Sequence, residues 1–212
     1  WNASLKPGER PVIAAARNVH KSFLYAAALL DFDIFWLWPE VRPSLCSCIV
    51  PPEELESALS QVQPAAVYVT SPDYLGGQCD IAALAEIAHR HGVPLLVDNA
   101  HGAYLRFLQP SGHPMDLGAD LCCDSAHKTL PVLTGGAYLH AGPAAPASFR
   151  EDGRRALALF GSTSPSYLIL QSLDLCNRYL AGDFPARLAA SAARLEELRE
   201  QLRRDGWAVW ET

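Results

Sequence analysis

Residues 65–98 read AAVYVTSPDYLGGQCDIAALAEIAHRHGVPLLVD, and this stretch decides the fold class. Its first seven residues, 65–71, form an apolar run with branched and aromatic side chains, which predicts a strand. The segment 80–92 has apolar residues at helical spacing and ends on a glycine, a residue that often closes a helix. A second apolar run, 93–98, predicts another strand. This order predicts a βαβ unit with a buried parallel sheet.

The segments upstream of this unit continue the alternation of strands and helices. Segments 11–16 and 33–38 predict strands, and the alanine- and leucine-rich segment 21–30 between them predicts a buried helix. Pro51 and Pro52 open a further helix, with acidic residues in its first turn, where the helix dipole favours them. The same architecture therefore extends towards the amino terminus.

Downstream, the apolar segment 119–125 predicts one more strand, with 135–141 as its antiparallel neighbour. Beyond them the chain is mostly helical, and Asp183 is expected to cap a long helix. We expect an α/β fold with one mostly parallel sheet flanked by helices. Residues 1–182 are expected to form a large domain, and residues 183–212 a connecting helix and the beginning of a smaller domain.

Composition and charge exclude several classes of protein. Of the 212 residues, 50% are hydrophobic and 19% are charged, as in ordinary globular proteins, and the formal net charge is −6. This acidic balance argues against nonspecific nucleic-acid binding, which needs a basic face. No apolar run reaches the roughly 18 residues of a membrane span. With no signal peptide of the usual layout, we expect a cytoplasmic protein that binds neither nucleic acid nor membrane.

The six cysteines show neither paired CxxC spacing nor the density of a disulfide scaffold, which favours a reducing compartment. Cys46 and Cys48 lack a nearby His or Cys pair that would complete a zinc site, so no metal is expected. The chain begins at Trp1, its single methionine is Met115, and its last residues look like the start of a strand. We therefore expect a fragment of a longer protein.

Polar residues follow three of the predicted strands, as RNVH at 17–20, DNAH at 98–101 and SAHK at 125–128. Taken singly, an Asp at a strand end usually caps a turn, a Lys is usually solvated, and a His is usually structural. In open α/β sheets, however, ligands gather at the carboxyl ends of the strands, and here several polar groups coincide there. A lysine in a dry crevice becomes a nucleophilic amine, and a carboxylate beside it can keep a pyridinium nitrogen protonated. Pyridoxal 5'-phosphate requires these two groups.

Five motifs in order resemble the Orn/Lys/Arg decarboxylase family: RNVHKS, VDNAHGAYL, HPMDLGAD, SAHKTLPVLTGGAYLH and STSPSYLILQSLD. These are pyridoxal-phosphate enzymes with an aspartate-aminotransferase-like large domain, and the resemblance runs from about Pro7 to the carboxyl terminus. SxHK alone has many chance matches, but the ordered set is specific. The resemblance implies decarboxylation of lysine, ornithine or arginine to an amine and CO2, and at least a homodimer.

The resemblance also implies roles for individual residues. Lys128 matches the lysine that binds the cofactor covalently, and Asp98 matches the carboxylate that pairs with the pyridine nitrogen. Either Lys128 or His127 would return a proton to the substrate carbon. The other positions that match cofactor contacts are His20, stacked on the ring, Ala100, lying against it, His101, lining the pocket, Ser125, near the phosphate, and Thr163, reaching a phosphate across a dimer interface.

Departures from the family pattern keep alternatives open. Asn99 stands where the family often has an acidic residue, and Tyr104 where it often has a second His. The family's phosphate-binding loop should lie just upstream of Trp1, and its smaller domain should begin near Trp207. Another pyridoxal-phosphate reaction, such as transamination or a lyase step, shares the same lysine and aspartate. A truncated chain kept as an inactive binding or dimerisation module is the third possibility.

Overall fold

The computed structural model describes residues 8–39 and 45–209. Its sheet has six strands, β1 (Val12–Ala16), β2 (Asp33–Leu37), β3 (Ala66–Thr70), β4 (Leu95–Asp98), β5 (Leu121–Asp124) and β6 (Tyr138–Ala141). The helices are α1 (Lys21–Leu30), α2 (Pro52–Gln61), α3 (Ile81–Arg90), α4 (Ala126–Thr129), α5 (Ala147–Phe160), α6 (Tyr167–Leu180) and α7 (Phe184–Arg204), with a 3-10 helix over Ala103–Phe107.

The strands lie in the order β2-β1-β3-β4-β5-β6, and all neighbours are parallel except the antiparallel pair β5 and β6. The predicted α/β class, the βαβ unit and the antiparallel partner of β5 are confirmed. The register pairs Asp98 with Thr70 on one side and with Cys123 on the other. The carboxyl ends of β3, β4 and β5 therefore meet at one edge of the sheet.

The two faces of the sheet are packed differently. On one face α2 and α3 bury Leu55, Leu84 and Ile87 against alternate strand residues such as Val67 and Leu95. This confirms the predicted apolar face of the helix after β3. On the other face, a smaller cluster forms around Phe23 and Ala27 of α1 and the strand residues Ile13 and Ala15. Because strand side chains alternate between faces, consecutive residues at a strand end serve different sites.

Two predictions about helices are wrong. The helix at 21–30 is not buried, because α1 covers the sheet with one face only. Phe23 and Ala27 are buried in it, whereas Leu24, Tyr25, Leu29 and Leu30 are exposed.

Asp183 does precede α7, but its side chain makes no capping hydrogen bond. Its backbone has helical angles, φ −88° and ψ 0°, instead of the extended angles usual at this position. Its carboxylate instead accepts a hydrogen bond from Arg187 Nε at 2.7 Å.

No regular secondary structure follows α7 over residues 207–209, and the rest of the predicted final strand lies outside the described residues, as does Pro7. Among the described helices, none combines the length and apolar character that crossing a membrane requires. The division at residue 182 stays a prediction.

Candidate functional site

Lys128 lies on α4, the short helix that starts directly after β5. Its Nζ is 3.0 Å from His101 Nε2. An ammonium only donates hydrogen bonds, so the neutral His101 ring accepts through Nε2. Lys128 is exposed. The described residues therefore do not enclose this lysine in a dry crevice, although His101 gives it a partner.

His101 follows β4 and contacts both Lys128 and Tyr74. Burial lowers the pKa of its imidazole, the Lys128 charge lowers the pKa further, and the Asp98 carboxylate opposes both effects. His101 is therefore neutral near pH 7 and can accept a hydrogen bond from the lysine. Its ring also meets Tyr74 edge to face, with ring centroids 5.1 Å apart.

Asp98 is buried at the end of β4, and both of its carboxylate oxygens have hydrogen-bond partners. Oδ2 accepts a hydrogen bond from the Tyr68 hydroxyl at 3.1 Å, and Oδ1 accepts one from the Ala100 backbone N–H at 3.1 Å. The Cys123 thiol lies 3.7 Å from Oδ1. Burial and the nearby Asp98 charge raise the pKa of Tyr68, so the phenol keeps its proton and remains a donor. The carboxylate is thus fixed in orientation.

His20 caps α1, with its Nδ1 accepting a hydrogen bond from the Ser22 backbone N–H at 3.3 Å. It lines a cavity of about 440 Å³ together with Asn18, Thr70 and Tyr74. Since Thr70 pairs with Asp98 in the sheet, this cavity lies beside the end of β4. Within the described structure, the side-chain oxygens of Asn18 and Thr70 are buried without a hydrogen-bond partner.

The remaining predicted residues lie at different distances from Asp98 and Lys128. Ser125 sits at the start of α4, and its hydroxyl does not bond to the helix backbone. His127 Nδ1 donates to the Gly136 carbonyl at 3.0 Å, since a carbonyl oxygen only accepts. Thr163 is exposed on the connection between α5 and α6, and within the described chain it is not brought together with Asp98 or Lys128.

Sequence reasoning missed Tyr68, Thr70 and Tyr74. A signal for two of them did exist, because Tyr68 and Thr70 alternate along β3 and face the same side as Asp98. It also missed a cluster on the opposite face, formed by His113, Asp124 and His140, which are possible metal ligands. These three come from separate elements and follow no spacing motif, so the expectation of no metal rested on cysteines alone.

Similarity to known proteins extends along nearly the whole chain. Residues 1–210 match the family described as Orn/Lys/Arg decarboxylase, major domain. The chain is 35% identical to the uncharacterized protein YaaO of Bacillus subtilis over 178 residues, which is 82% of this chain and 36% of that protein. It is 30% identical to an arginine decarboxylase of Halalkalibacterium halodurans over 199 residues, 92% of this chain and 40% of that enzyme.

Solved structures share the fold. The chain resembles an alanine–glyoxylate aminotransferase from Nostoc sp. with a TM-score of 0.69 and 14% identity, covering 96% of this chain and 57% of that structure. At this identity the likeness shows the fold alone, and it agrees with the expected aspartate-aminotransferase-like architecture. The chain spans 36% and 40% of the length of the two curated relatives named above.

Proposed function

The chain belongs to the Orn/Lys/Arg decarboxylase family, and we propose from this premise that it holds the cofactor site of a pyridoxal-phosphate enzyme that decarboxylates a basic amino acid to an amine and CO2. The observation that carries the proposal is the placement of Asp98 and Lys128 at neighbouring strand ends, each with a polar partner. Arginine is the first substrate to test, because relatives at about 30% identity are named arginine decarboxylases.

The described residues fit pyridoxal phosphate. The ring nitrogen needs a buried, oriented carboxylate, and Asp98 is buried with hydrogen bonds to both of its oxygens. The ring needs space beside that carboxylate, which the cavity next to Thr70 supplies, with His20 in its lining. Two buried oxygens in that lining, on Asn18 and Thr70, have no hydrogen-bond partner among the described residues and are available to a polar ligand. The proposed covalent attachment point, Lys128 Nζ, is accessible.

Each residue then has a proposed task. When bound, the cofactor withdraws the electron pair of the bond that breaks. Asp98 would keep the proton on the ring nitrogen, and Tyr68 and the Ala100 amide hold its carboxylate in a fixed orientation. His20 and Ala100 confine the ring, and Ser125 and Thr163 are proposed to hold phosphate oxygens. Positioning and electrostatics are therefore the contribution of the protein.

Lys128 is the favoured proton donor to the substrate carbon. Its Nζ lies 3.0 Å from His101 Nε2, and a hydrogen bond to the neutral imidazole there would hold the ammonium in position to give its proton to the substrate carbon. His127 is less suited, because its Nδ1 proton is directed at the Gly136 carbonyl. We therefore assign proton transfer to Lys128, with His101 as its partner.

The exposure of Lys128 favours a second candidate, a chain that binds the cofactor without turning over substrate. A single preparation distinguishes the candidates. The purified chain is incubated with pyridoxal phosphate, dialysed, reduced with borohydride and digested, and the modified lysine is identified by mass spectrometry.

We expect the label on Lys128 and not on Lys21, and loss of the dialysis-resistant visible absorption band in Lys128→Ala. Release of CO2 from arginine, lysine or ornithine by the loaded chain would establish the decarboxylase. Formation of a keto acid instead would indicate transamination. Labelling of Lys128 without turnover would support the second candidate, a chain that only binds the cofactor. Labelling spread over surface lysines would refute the cofactor site.

A further inference from the structure

Three potential metal ligands converge on the sheet face opposite Asp98. Asp124 ends β5 and is buried, His113 is buried on the loop before β5, and His140 is half-buried on β6. Asp124 Oδ2 lies 2.9 Å from His140 Nε2 and 3.1 Å from His113 Nε2. The three ligand atoms lie within 4.8 Å of one another. They are close enough to surround one ion with bonds of about 2 Å.

A fourth residue fixes the orientation of this carboxylate. Asn99 Nδ2 donates to Asp124 Oδ1 at 2.7 Å, which leaves Oδ2 directed at the two imidazoles. Burial by itself raises the pKa of Asp124, but hydrogen bonds from His113, His140 and Asn99 outweigh it and hold the pKa well below its usual range. Asp124 therefore presents one carboxylate oxygen to the two imidazole nitrogens with which it would share an ion.

We propose that Asp124, His113 and His140 form a binding site for a divalent transition-metal ion, with Zn²⁺ as the representative. Imidazole nitrogen and carboxylate oxygen are zinc ligands, and three protein ligands leave a coordination position open. That position would face a cavity of about 200 Å³ that these three residues line with Met115 and Tyr138. Water or a small anion would occupy it. The proposal does not depend on the proposed decarboxylation.

Coordination of an ion by His113 would change which nitrogen of its ring carries the proton. His113 Nδ1 accepts a hydrogen bond from the Met115 backbone N–H at 3.3 Å, so without an ion its Nε2 carries the proton that is donated to Asp124. Coordination through Nε2 moves this proton to Nδ1, as is usual for a metal-bound histidine. The long bond from Met115 must then break. Ion binding should therefore change the environment of the Met115 amide.

Zinc binding to the untagged chain tests the proposal. The protein is stripped with a chelator and dialysed against Zn²⁺ at several concentrations, and bound metal is measured by elemental analysis. We expect about one ion per chain, and an affinity at least about tenfold weaker in His140→Ala and in His113→Ala. His89→Ala is the matched control. His89 Nε2 also pairs with a buried carboxylate, that of Asp120, at 2.8 Å, but among the described residues no second histidine joins that pair.

A folding defect would not obscure the result. His140 is half-buried, so His140→Gln preserves a polar side chain there, and circular dichroism verifies that each variant is folded. An NMR shift of the Met115 amide on adding Zn²⁺ would support coordination by His113. Equal zinc binding by wild type and by the double variant His113→Ala/His140→Ala would overturn the proposal, as would the absence of binding by the wild type.

Discussion

Tyr68 stabilises the buried carboxylate of Asp98 in the candidate active site, because its hydroxyl donates to Asp98 Oδ2 at 3.1 Å. Tyr68→Phe removes the donor and leaves a buried acceptor without it. We expect the free energy of unfolding to fall by about 1–3 kcal/mol. Urea denaturation measures this change. Tyr25→Phe, at an exposed position on α1, should stay within about 0.5 kcal/mol of wild type. Equal stability of Tyr68→Phe and wild type would show that the hydrogen bond contributes nothing.

Asp124 makes the stability of the fold depend on acid. Its pKa in the folded protein is below the ordinary value of about 3.9, so its contribution is complete above about pH 4 and is lost as the pH falls further. Asp124→Asn lacks this titration. We therefore expect the variant to be less stable than wild type at neutral pH, with a difference that shrinks as the pH falls below about 4.

Denaturation curves between neutral pH and acid, recorded with chelator present, measure the difference. His113 and His140 are the two imidazoles that face this carboxylate, and both are retained in Asp124→Asn, so wild type and variant differ at residue 124 alone. A difference that stays constant into acid would contradict the depressed pKa of Asp124.

The positions of some site residues could be predicted from the sequence, whereas their contacts and exposure could not. Asp98 and Lys128 could be assigned to strand ends because polar residues interrupt apolar runs there, and the sheet does put β4 beside β5. The contact of Tyr68 with Asp98 could not be predicted, since it depends on the register of β3 against β4. Nor could the exposure of Lys128, which depends on what surrounds the short helix α4 in three dimensions.

Helix caps show how element boundaries are set. Asp80 precedes α3, and its Oδ1 accepts a hydrogen bond from the Ala83 backbone N–H at 3.0 Å. Asp183 precedes α7 without such a bond. We expect Asp80→Ala to lower the free energy of unfolding by about 1 kcal/mol and Asp183→Ala to lower it clearly less. Thermal or urea denaturation of the two variants tests this difference. A larger loss at Asp183 would mean that its ion pair with Arg187 outweighs a helix cap.

The contrast between Asp80 and Asp183 explains why helices and strands are predicted better than the contacts that their residues make. Periodicity and flanking residues located the strands and α3, because those signals are local. They also suggested Asp183 as a cap, but a capping residue usually has extended backbone angles, and residue 183 has helical ones. The prediction that α1 is buried was wrong for a related reason. Its alanine and leucine content fits a buried helix, whereas the amount of burial depends on which other elements pack against it.

Over the whole molecule, the region from the end of α5 to the start of α6 exposes large apolar side chains. They are Leu157, Leu159, Phe160, Tyr167, Leu168 and Leu170. A monomeric protein seldom exposes apolar residues in such concentration, and apolar patches of this kind mark interaction sites. The expected homodimer would bury them, and it would bring the neighbouring Thr163 to an interface. We therefore propose that this region contributes to self-association of the chain.

Sedimentation equilibrium of the 23.0 kDa chain tests this proposal. We expect about twice the monomer mass at micromolar concentration and a monomer for the double variant Phe160→Asp/Leu168→Asp, because buried charges without partners oppose association. Leu195→Asp is the matched control, since Leu195 is 61% exposed on α7, outside this region, and should leave the dimer intact. A wild-type monomer, or a dimer that persists in the double variant, would exclude the region from the interface. Thr163 would then lose its proposed contact with the cofactor of a partner subunit.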